Sequence, residues 1–498
     1  MPVLLRQFPS KEQFRLLSEK YNVIPVCAEI LSDMETPVSI LGKRYRQKGP
    51  AFLLESAEGG ERWGRYSFFS SSAKARVRVF SDHITVAESG RVNRIAHQGD
   101  PLRGLRQLMQ RYRPADIPEL PRFWCGLVGY ITYEMVSFFE SIPHQWPPEK
   151  PLADFMIPDE LLIFDNIRHT LQLVEIRYLT DSSEAESEYR AGLKRIDAIR
   201  EALAQPLREP VPPDETAALR LTPLLSEEKY REMVTRVKQY IYDGDIIQSV
   251  ISQPFVCDAA PDAFSLYRAQ RYINPSPYLY FLHLDDMVLV GSSPETMVRL
   301  ENNIAVLRPI AGTRPRGRTE QADRDLADEL LQDEKERAEH LMLVDLGRND
   351  LGRIAETGTV EVTDLMFIER YSHVMHLVSN IQCDLKPDVD AWALLAATFP
   401  AGTLSGAPKI RAMEIIAEME NRPRGPYGGA VGYISFHGNM DMAITIRTAC
   451  IEARRMTVQA GAGIVADSDP ERERQETVNK AMALQQALKL IRPDRLTD

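Results

Sequence analysis

Residues 428–463 read GGAVGYISFHGNMDMAITIRTACIEARRMTVQAGAG, and this stretch is the strongest guide to the fold. It contains three strand-like runs, GGAVGYISF, DMAITIRTACIE and MTVQAGAG, without a helical pattern between them. Strands that follow one another this closely pair antiparallel, because a parallel pair needs a long crossover. Grouped strands therefore predict an α+β fold with mixed or antiparallel sheets, not an alternating βαβ fold.

The rest of the chain repeats this grouping on both sides of a proline-rich seam. Before the seam, ARVRVF, HITVAE, DELLIFDN and TLQLVEIRYL predict antiparallel strands; after it, YLYFLHL, DMVLVGSS and IAVLRPI are interspersed with long helical patterns. The seam, AQPLREPVPPDETAALRLTP, carries Pro206, Pro210, Pro212 and Pro213, and such proline density favours an extended connector. We expect two regions, residues 1–212 and 222–498.

Composition narrows the class of protein. The chain has 498 residues, of which 44% are hydrophobic and 26% charged, as in ordinary globular proteins. A net charge of −11 gives no broad basic surface for nucleic acid. Neither a signal peptide nor a membrane span is evident, so we expect a cytoplasmic protein with no nucleic-acid or membrane partner. Five widely spaced cysteines suit a reducing compartment: Cys27, Cys125, Cys257, Cys383 and Cys450.

Two pairs of glutamates suggest a metal site. Glu336 and Glu339 are three residues apart in a helical pattern and share a face, as do Glu473 and Glu476 near the C-terminus. Mg²⁺ is commonly held by one or two protein carboxylates together with ligand oxygens and waters. Solvated or salt-bridged helix faces are the competing interpretation of either pair.

Glycine-containing segments suggest anion binding. Gly461 and Gly463 occupy an expected turn just before the second glutamate pair, where bare backbone N–H groups can approach an anion. The stretch Arg308–Gly317, RPIAGTRPRG, offers another turn at Gly312 and Thr313, surrounded by arginines. Ala311 directly precedes this glycine.

Further polar residues are candidates for catalysis or substrate binding. Glu295 ends a strand in an S-P-E sequence; it is either a general acid, if desolvated, or part of a cap. Arg447 is expected on one face of a single strand with Thr445, suited to a bidentate grip on a carboxylate. Tyr427 precedes two glycines, and His373 and His376 are spaced as on a helix face.

Taken together, these motifs resemble the chorismate-utilising enzymes, and most closely those that form anthranilate. The resemblance covers essentially all of the chain after the seam, with an LLESAE box at residues 53–58 before it. The motifs that carry it, in chain order, are PIAGTRPRG, AEHLMLVDLGRNDLGR, ERYSHVMHLVS, FPAGTLSGAPKIRAMEII, GPYGGAVGYISF, MAITIRTA and VQAGAGIVADSDPERERQET.

The resemblance implies a four-layer α/β/β/α fold, in which two packed mixed or antiparallel sheets are flanked by helices. It also implies that Glu339 and Glu476 bind Mg²⁺, with Glu336 and Glu473 in or near its coordination shell. The substrate contacts that it implies are Gly312, Thr313, Gly461, Ala462 and Gly463 for the ring carboxylate and Tyr427 and Arg447 for the pyruvyl group. Glu295 matches the acid that protonates the departing C4 hydroxyl, and His376, Thr403 and Gln248 match other active-site positions.

Two positions discriminate between members of this family. Aminodeoxychorismate synthases, which the chain resembles almost as well, carry a nucleophilic lysine where Ala311 stands. The water-adding relatives carry a base-forming lysine where Gln248 stands. With both lysines absent, ammonia is the expected nucleophile at C2, and loss of pyruvate would then give anthranilate, the first committed intermediate of tryptophan biosynthesis.

The resemblance also implies partners and regulation. No cysteine has a nucleophile-elbow context, so we expect a separate glutamine amidotransferase subunit to deliver ammonia, in a hetero-tetramer of two large and two small subunits. The LLESAE box implies feedback inhibition by L-tryptophan, although the box is also compatible with an ordinary strand that packs against Phe68 and Phe69. The implied tryptophan contacts are Glu55, Ser56, Pro277, Tyr278, Leu279, Val431 and Tyr433, with Leu279 where the family often has methionine.

Three alternatives stay open at this point. The chain is compatible with a lysine-free aminodeoxychorismate synthase, or with an aminodeoxyisochorismate synthase that stops at the 2-amino intermediate. A catalytically inactive tryptophan-sensing protein is the alternative of another class, and the retention of Glu295, Glu339, Glu476, Tyr427 and Arg447 disfavours it.

Overall fold

The computed structural model describes residues 3–45, 47–56, 64–207, 219–371 and 374–491. Its helices are α1 (Lys11–Ser18), α2 (Pro37–Arg44), α3 (Pro101–Met109), α4 (Ala185–Leu203), α5 (Glu227–Tyr242), α6 (Ala263–Ile273), α7 (Glu320–Gln332), α8 (Glu334–Gly352), α9 (Ala391–Thr398), α10 (Lys409–Glu420) and α11 (Pro470–Ile491), with short 3₁₀ turns at Tyr133–Phe138, Ser182–Glu184 and Gly402–Leu404.

The strands before the seam are β1 (Leu4–Phe8), β2 (Val23–Leu31), β3 (Ala51–Glu55), β4 (Tyr66–Ser70), β5 (Ala73–Val79), β6 (His83–Glu88), β7 (Arg91–Ala96), β8 (Gly126–Ile131), β9 (Ala153–Pro158), β10 (Glu160–Asp165) and β11 (Thr170–Tyr178). Those after it are β12 (Thr222–Pro223), β13 (Gln248–Cys257), β14 (Tyr278–Leu284), β15 (Met287–Ser293), β16 (Thr296–Glu301), β17 (Ile304–Leu307), β18 (Ile310–Pro315), β19 (Glu361–Arg370), β20 (Val374–Asp384), β21 (Gly406–Ala407), β22 (Ala430–Ser435), β23 (Met440–Ile444), β24 (Thr448–Glu452) and β25 (Arg455–Ile464).

These strands form two large sheets. Sheet I has 13 strands in the order β1-β2-β11-β10-β4-β3-β14-β15-β24-β25-β13-β12, with β21 beside β13. Sheet II has 12 strands in the order β18-β20-β17-β16-β23-β22-β8-β9-β5-β6-β7, with β19 beside β20. Pairing between the central strands is antiparallel, as for β14 with β15 and β22 with β23. The predicted α+β class is confirmed. The sequence left mixed and antiparallel sheets open, and these strand pairs are antiparallel.

Strands from both sides of the seam share each sheet. In sheet I, β3 pairs with β14, and in sheet II, β8 pairs with β22. Pro210, Pro212 and Pro213 of the seam lie outside the described residues. The division into regions 1–212 and 222–498 stays a prediction about chain organisation.

The hydrophobic residues pack in layers. One cluster joins Leu53 and Phe281 of sheet I to Val431 of sheet II, so the two sheets pack face to face. A second cluster covers the other face of sheet II with α3 and α9, including Leu105 and Trp392. Helices α5 and α10 cover part of the outer face of sheet I in a further cluster. This four-layer arrangement is the one implied by the resemblance.

The stretch 428–463 differs from the expectation in one respect. DMAITIRTACIE is not a single strand: β23 ends at Ile444 in sheet II, and β24 begins at Thr448 in sheet I. Arg447, at the crossing, has a left-handed backbone with φ of 50°. Thr445 and Arg447 therefore lie in the connection between two strands, and the expectation that they share one face of a single strand is wrong.

None of the helices in the described ranges is both long and apolar enough to cross a lipid bilayer.

Candidate active site

A cavity of about 250 Å³ lies where the chain crosses between the two sheets. Most of the residues singled out from the sequence line it, although they come from seven separate helices, turns and strands and from three connecting segments. They are Gln248, Glu295, Gly312, Thr313, Glu339, His376, Thr403, Tyr427, Arg447, Gly461, Gly463 and Glu476. The fold thus brings together side chains as far as 228 positions apart in sequence (476 − 248).

Glu295 is the most deeply desolvated acid of the cavity. It lies between β15 and β16 and is 8% exposed. Its Oε1 accepts a hydrogen bond of 2.9 Å from the Thr403 hydroxyl. Burial raises the pKa of Glu295 to about 8, although Thr403 and the Arg447 charge both oppose this shift. The carboxyl group is therefore protonated near neutral pH and is suited to act as a general acid.

His376 lies on strand β20, so the expectation of a helix face for it is wrong; His373 lies outside the described residues. The Nδ1 atom of His376 is 3.1 Å from the carbonyl oxygen of Gly312 and 3.0 Å from the hydroxyl of Thr313. Because a carbonyl only accepts, Nδ1 carries the proton. Burial lowers the pKa of His376, which leaves a neutral imidazole whose Nε2 is a proton acceptor.

Gly312 occupies a bulge in β18 and not a free turn. The register between β18 and β20 shifts between Ala311 and Thr313, and Gly312 has a φ of 66°. A Cβ atom there would lie 2.9 Å from Leu330 and 3.1 Å from a Glu336 oxygen. Glycine is required because the backbone is left-handed and neighbouring side chains approach closely. The bulge directs Thr313 and the carbonyl of Gly312 towards His376.

Gly461 and Gly463 belong to strand β25, so the expected glycine-rich turn is wrong. A Cβ atom on Gly461 would lie 2.6 Å from the Tyr427 hydroxyl, and one on Gly463 would lie 2.5 Å from Nε2 of Gln248. The two glycines allow the Tyr427 hydroxyl and the Gln248 amide to approach the backbone at this part of the cavity. Ala462, between them, points the other way and packs in the cluster with Ile251 and Ile415.

Arg447 and Tyr427 are two cavity residues suited to binding a carboxylate. Arg447 lines the cavity, and burial lowers its pKa, an effect that the Glu295 carboxyl partly offsets. Tyr427 is 9% exposed, and the guanidinium of Arg424 lies 5.6 Å from its ring centre. Arg424 is itself fixed by an ion pair of 2.6 Å to Glu420, so Tyr427 rests on a rigid support.

The four predicted metal ligands extend from the two expected helices. Glu339 and Glu336 are on α8, and Glu476 and Glu473 are on α11. Only Glu339 and Glu476 line the cavity. Burial raises the pKa of Glu339, and the charges of Glu336 and Glu476 raise it further, which shows that these carboxylates act on one another. Burial likewise raises the pKa of Glu473, with a further contribution from Glu476.

This donor set fits a magnesium ion in part. Within the described ranges, no three His, Cys, Asp or Glu side chains form a closed metal cage. Mg²⁺ does not need one, because waters and ligand oxygens complete its shell. The repulsion among the glutamates favours a cation between α8 and α11. Oε1 of Gln248, a residue of the cavity lining, is buried and without a hydrogen-bond partner among the described residues.

Lys480 is a cavity residue that the sequence analysis missed. Its Nζ lies 2.7 Å from Glu476 and 2.9 Å from the carbonyl oxygen of Gly461. The spacing of four residues from Glu476 on a helix was the available signal. Among the described residues that line the cavity, Lys480 is the one lysine. Its Nζ acts as an ammonium donor in both of these contacts. It is suited to binding an anion.

The two discriminating positions meet in the same cavity. Ala311 and Gln248 both line it, from β18 and β13 respectively. Nε2 of Gln248 lies 3.4 Å from Glu339. Neither side chain is a nucleophile or a strong base at this place.

The arginines of the stretch Arg308–Gly317 do not line the cavity. Arg314 contacts Asp333 at 2.9 Å and Glu329 at 3.2 Å, and Arg316 contacts Asp323 at 2.7 Å. These ion pairs fasten β18 to α7 and the start of α8. Their role in this structure is to hold the segment that carries Thr313.

The LLESAE box lies outside the cavity lining, and its first three residues end strand β3 of sheet I. Leu53 pairs with Phe69 and Leu54 with Phe68, as the ordinary strand interpretation requires. Glu55, at the end of β3, pairs with Leu279 of β14. Residues 57–58 of the box lie outside the described residues.

Four other predicted tryptophan contacts lie on or directly before strands β14 and β22. The Tyr278 hydroxyl donates to Asp441 at 2.9 Å, and Arg122 links Asp441 to the Tyr433 hydroxyl with contacts of 2.9 Å each. Tyr433 stacks on Phe123, and Val431 lies on the same strand. Pro277 directly precedes β14.

Comparison with known proteins identifies the family of the chain. The family model described as chorismate binding enzyme matches residues 50–486. Anthranilate synthase component 1 of Aquifex aeolicus is 48% identical over 97% of this chain and 98% of its own length, and that of Acetivibrio thermocellus is 44% identical over the same shares. The crystal structure of anthranilate synthase component I from Streptococcus pneumoniae superimposes with a TM-score of 0.72 at 36% identity, covering 86% of this chain and 95% of that one. The chain therefore belongs to the chorismate binding enzyme family.

Proposed function

We propose that the chain is the large component of an anthranilate synthase, which converts chorismate and ammonia to anthranilate and pyruvate. The proposal rests on the presence of a protonated Glu295 and a neutral His376 in the same cavity. In that cavity Ala311 and Gln248 provide no attacking group. The similarity to anthranilate synthase component 1 supports it.

In this proposal the two ionisable groups divide the reaction between them. Glu295 gives its proton to the C4 hydroxyl, which leaves as water while ammonia forms a bond to C2. Aromatisation then requires loss of the C2 hydrogen. The free Nε2 of His376 would accept that proton as the C3–O bond breaks, and the departing enolpyruvate takes up a proton on its methylene carbon to become pyruvate. The Thr403 hydroxyl keeps the Glu295 carboxyl oriented through its 2.9 Å hydrogen bond.

In this proposal two different groups of cavity residues bind the two substrate carboxylates. Arg447 and Tyr427 suit the pyruvyl carboxylate, because a guanidinium and a hydroxyl both donate to carboxylate oxygens. The ring carboxylate fits the wall of Thr313, Gly461 and Lys480, where a small backbone and an ammonium are exposed. This orientation places the ring between Glu295 and His376.

Magnesium is the cofactor that the glutamates fit. Glu339 and Glu476 would hold it, with Glu336 and Glu473 nearby, and a bound Mg²⁺ supplies positive charge for the ring carboxylate. The same residues without the cation would repel the substrate. We accordingly propose a Mg²⁺-dependent lyase.

The identity of the product tests the proposal. With chorismate, ammonium salt and Mg²⁺, we expect equimolar anthranilate and pyruvate, measured by anthranilate fluorescence and chromatography. Accumulation of 4-amino-4-deoxychorismate, or of a 2-amino intermediate without pyruvate, would replace the proposed activity by one of the alternatives. Absence of any chorismate consumption would point to an inactive sensor.

The proposed enzyme has a partner and a location. The relatives are named as one component of a larger enzyme, and we propose that a separate glutamine amidotransferase subunit supplies ammonia in a hetero-tetramer of two large and two small subunits. A cytoplasmic location is supported by the cysteines, all five of which are free.

Feedback inhibition by L-tryptophan is the proposed role of the LLESAE box. The Glu55 carboxylate suits the ammonium group of an amino acid, and the stacked rings of Tyr433 and Phe123 provide an aromatic surface nearby. Tryptophan formed from the product would then limit the first step of its own synthesis.

Replacing Ser56 with phenylalanine is expected to relieve this inhibition. The larger ring would fill space next to Glu55, so we expect the tryptophan concentration for half-inhibition to rise by at least about tenfold, equivalent to about 1.4 kcal/mol. Ammonia-dependent turnover without tryptophan should change less than about twofold, because Ser56 is remote from the cavity lining. Undiminished inhibition would exclude this assignment of the box.

A further inference from the structure

Helix α6 connects the LLESAE box to the cavity. One of its residues contacts the backbone of Arg447, and two others contact Glu55. This helix was not singled out from the sequence and does not line the cavity.

Gln270 holds the backbone of Arg447. Its Nε2 donates to the carbonyl oxygen of Arg447 at 2.6 Å, and Gln270 itself is 3% exposed. The N–H of Ser292 donates to the same carbonyl at 3.3 Å. A left-handed backbone is unfavourable for a residue with a side chain and persists only when its surroundings hold it. Within the described residues, these two hydrogen-bond donors hold the Arg447 carbonyl in place.

The other contacts of α6 are with Glu55. The Tyr267 hydroxyl and the Nε of Arg271 both donate to Oε1 of Glu55, the latter at 2.7 Å. Tyr267 and Arg271 are four residues apart on the helix, and Gln270 lies between them, so all three project from neighbouring positions. Glu55 is 7% exposed, and loss or redistribution of these contacts would shift the helix that carries Gln270.

The segment after α6 strengthens this connection. Asn274 caps the helix, and its Nδ2 donates to the Ser292 hydroxyl at 3.0 Å; Ser292 also contacts Ser276 at 2.9 Å. The chain then continues into Tyr278 and Leu279, the other predicted wall of the tryptophan site. Ser292 therefore anchors the end of the helix at the place where its own N–H holds Arg447.

We propose that Gln270 is a positioning residue that holds Arg447 in the orientation needed for the substrate carboxylate, and that α6 transmits occupancy of the Glu55 site to the cavity through it. This rests on the proposed function, whose regulation it specifies. An amino-acid ammonium that binds Glu55 competes with Tyr267 and Arg271 for its oxygens. The displaced helix then alters the hydrogen bond from Gln270 to Arg447.

The first test replaces Gln270 with methionine, which keeps the length of the side chain and removes the donor. In the ammonia-dependent reaction we expect KM for chorismate to rise about tenfold, as for loss of one hydrogen bond that orients a charged group, with kcat changed less than about threefold. Gln485→Met is the matched control. Gln485 is also a buried helical glutamine that donates to a backbone carbonyl, that of Leu219 at 3.0 Å, and its variant should retain the wild-type KM.

A double-mutant cycle separates positioning from general damage to the fold. In an Arg447→Met background, Gln270→Met should raise KM no further, because the group on which it acts is gone. An additive increase, or an unchanged KM in the single variant, would overturn the positioning role. Gln270→Leu, which also removes the donor, provides a second variant if the methionine variant does not fold.

The second test measures transmission directly by calorimetry without ammonia. For the wild type, the Kd for tryptophan should differ between chorismate-free and chorismate-saturated protein, and in Gln270→Met the ratio of these two values should fall towards one. A ratio that equals the wild-type ratio would overturn transmission through Gln270. Failure of the proposed function is distinguishable, because a wild type that forms no anthranilate still permits the Kd for chorismate to be compared between the variants.

Discussion

Replacing Glu295 with glutamine is expected to lower kcat by about 10²- to 10⁴-fold, which is the usual contribution of a general acid. The amide keeps the size of the side chain and can still contact the Thr403 hydroxyl, which lies 2.9 Å from the carboxylate in the wild type. It cannot release a proton to the C4 hydroxyl. Rates with ammonium salt, measured by anthranilate fluorescence, check this expectation.

The pH dependence provides a second readout of the same residue. Because the pKa of Glu295 is raised to about 8, the acid is protonated and active below that value, and kcat/KM should fall as pH rises through it. The residual activity of Glu295→Gln should lack this descending limb once the supply of free ammonia is held constant. Glu452→Gln is the matched control, because Glu452 forms a half-exposed ion pair with Lys150. This variant should keep the wild-type kcat and the descending limb of the pH profile.

A wild-type rate retained by Glu295→Gln would remove the proposed acid. A descending limb that persists unchanged in the variant would assign it to another group.

Glu476→Gln is expected to have the second large effect, through magnesium. A neutral amide loses most of the attraction to a divalent cation, so we expect the Mg²⁺ concentration for half-maximal rate to rise about 10- to 100-fold, the range seen when metal-binding groups are altered. Activity at low Mg²⁺ should fall by a similar factor and recover in part at high Mg²⁺. Titration of activity against Mg²⁺ measures both.

Two controls distinguish this effect from the loss of the Lys480 ion pair. Glu471→Gln removes a carboxylate from the first turn of the same helix, where it pairs with Arg474 and Arg231 outside the cavity, and should leave the Mg²⁺ titration unchanged. Lys480→Met removes the ammonium group that lies 2.7 Å from Glu476. This variant should weaken chorismate binding without weakening Mg²⁺ binding. An unaltered Mg²⁺ requirement in Glu476→Gln would contradict its role as a ligand.

Local patterns in the sequence predicted the class of fold well. Runs of alternating residues without intervening helices indicated antiparallel pairing, and β14 with β15 and β22 with β23 pair in that way. Such patterns depend only on neighbouring residues, because side chains alternate across a strand and recur every three to four residues on a helix. The same short-range regularity placed Glu339 and Glu476 on helices.

Spacing alone was insufficient where local pattern and tertiary context differ. His376 has a helical spacing from His373 but lies on β20, and Gly461 lies within β25 and not in a turn. In both cases pairing with a neighbouring strand determines the conformation, and strand pairing depends on residues distant in sequence. Lys480 was missed for a related reason, since only the packing of α11 against β25 brings it to the carbonyl oxygen of Gly461.

The sequence by itself determined the family, the α+β class with mixed or antiparallel sheets and the types of chemical group available: acids, a histidine, an arginine and small glycines. These follow from residue identity and short-range periodicity. Only the tertiary structure decided that Glu295 is desolvated, that Arg447 stands at a crossing between two sheets, and that α6 joins Glu55 to it. Burial and contact between distant segments exist only once the sheets have packed, because each is a property of the surroundings and not of the residue.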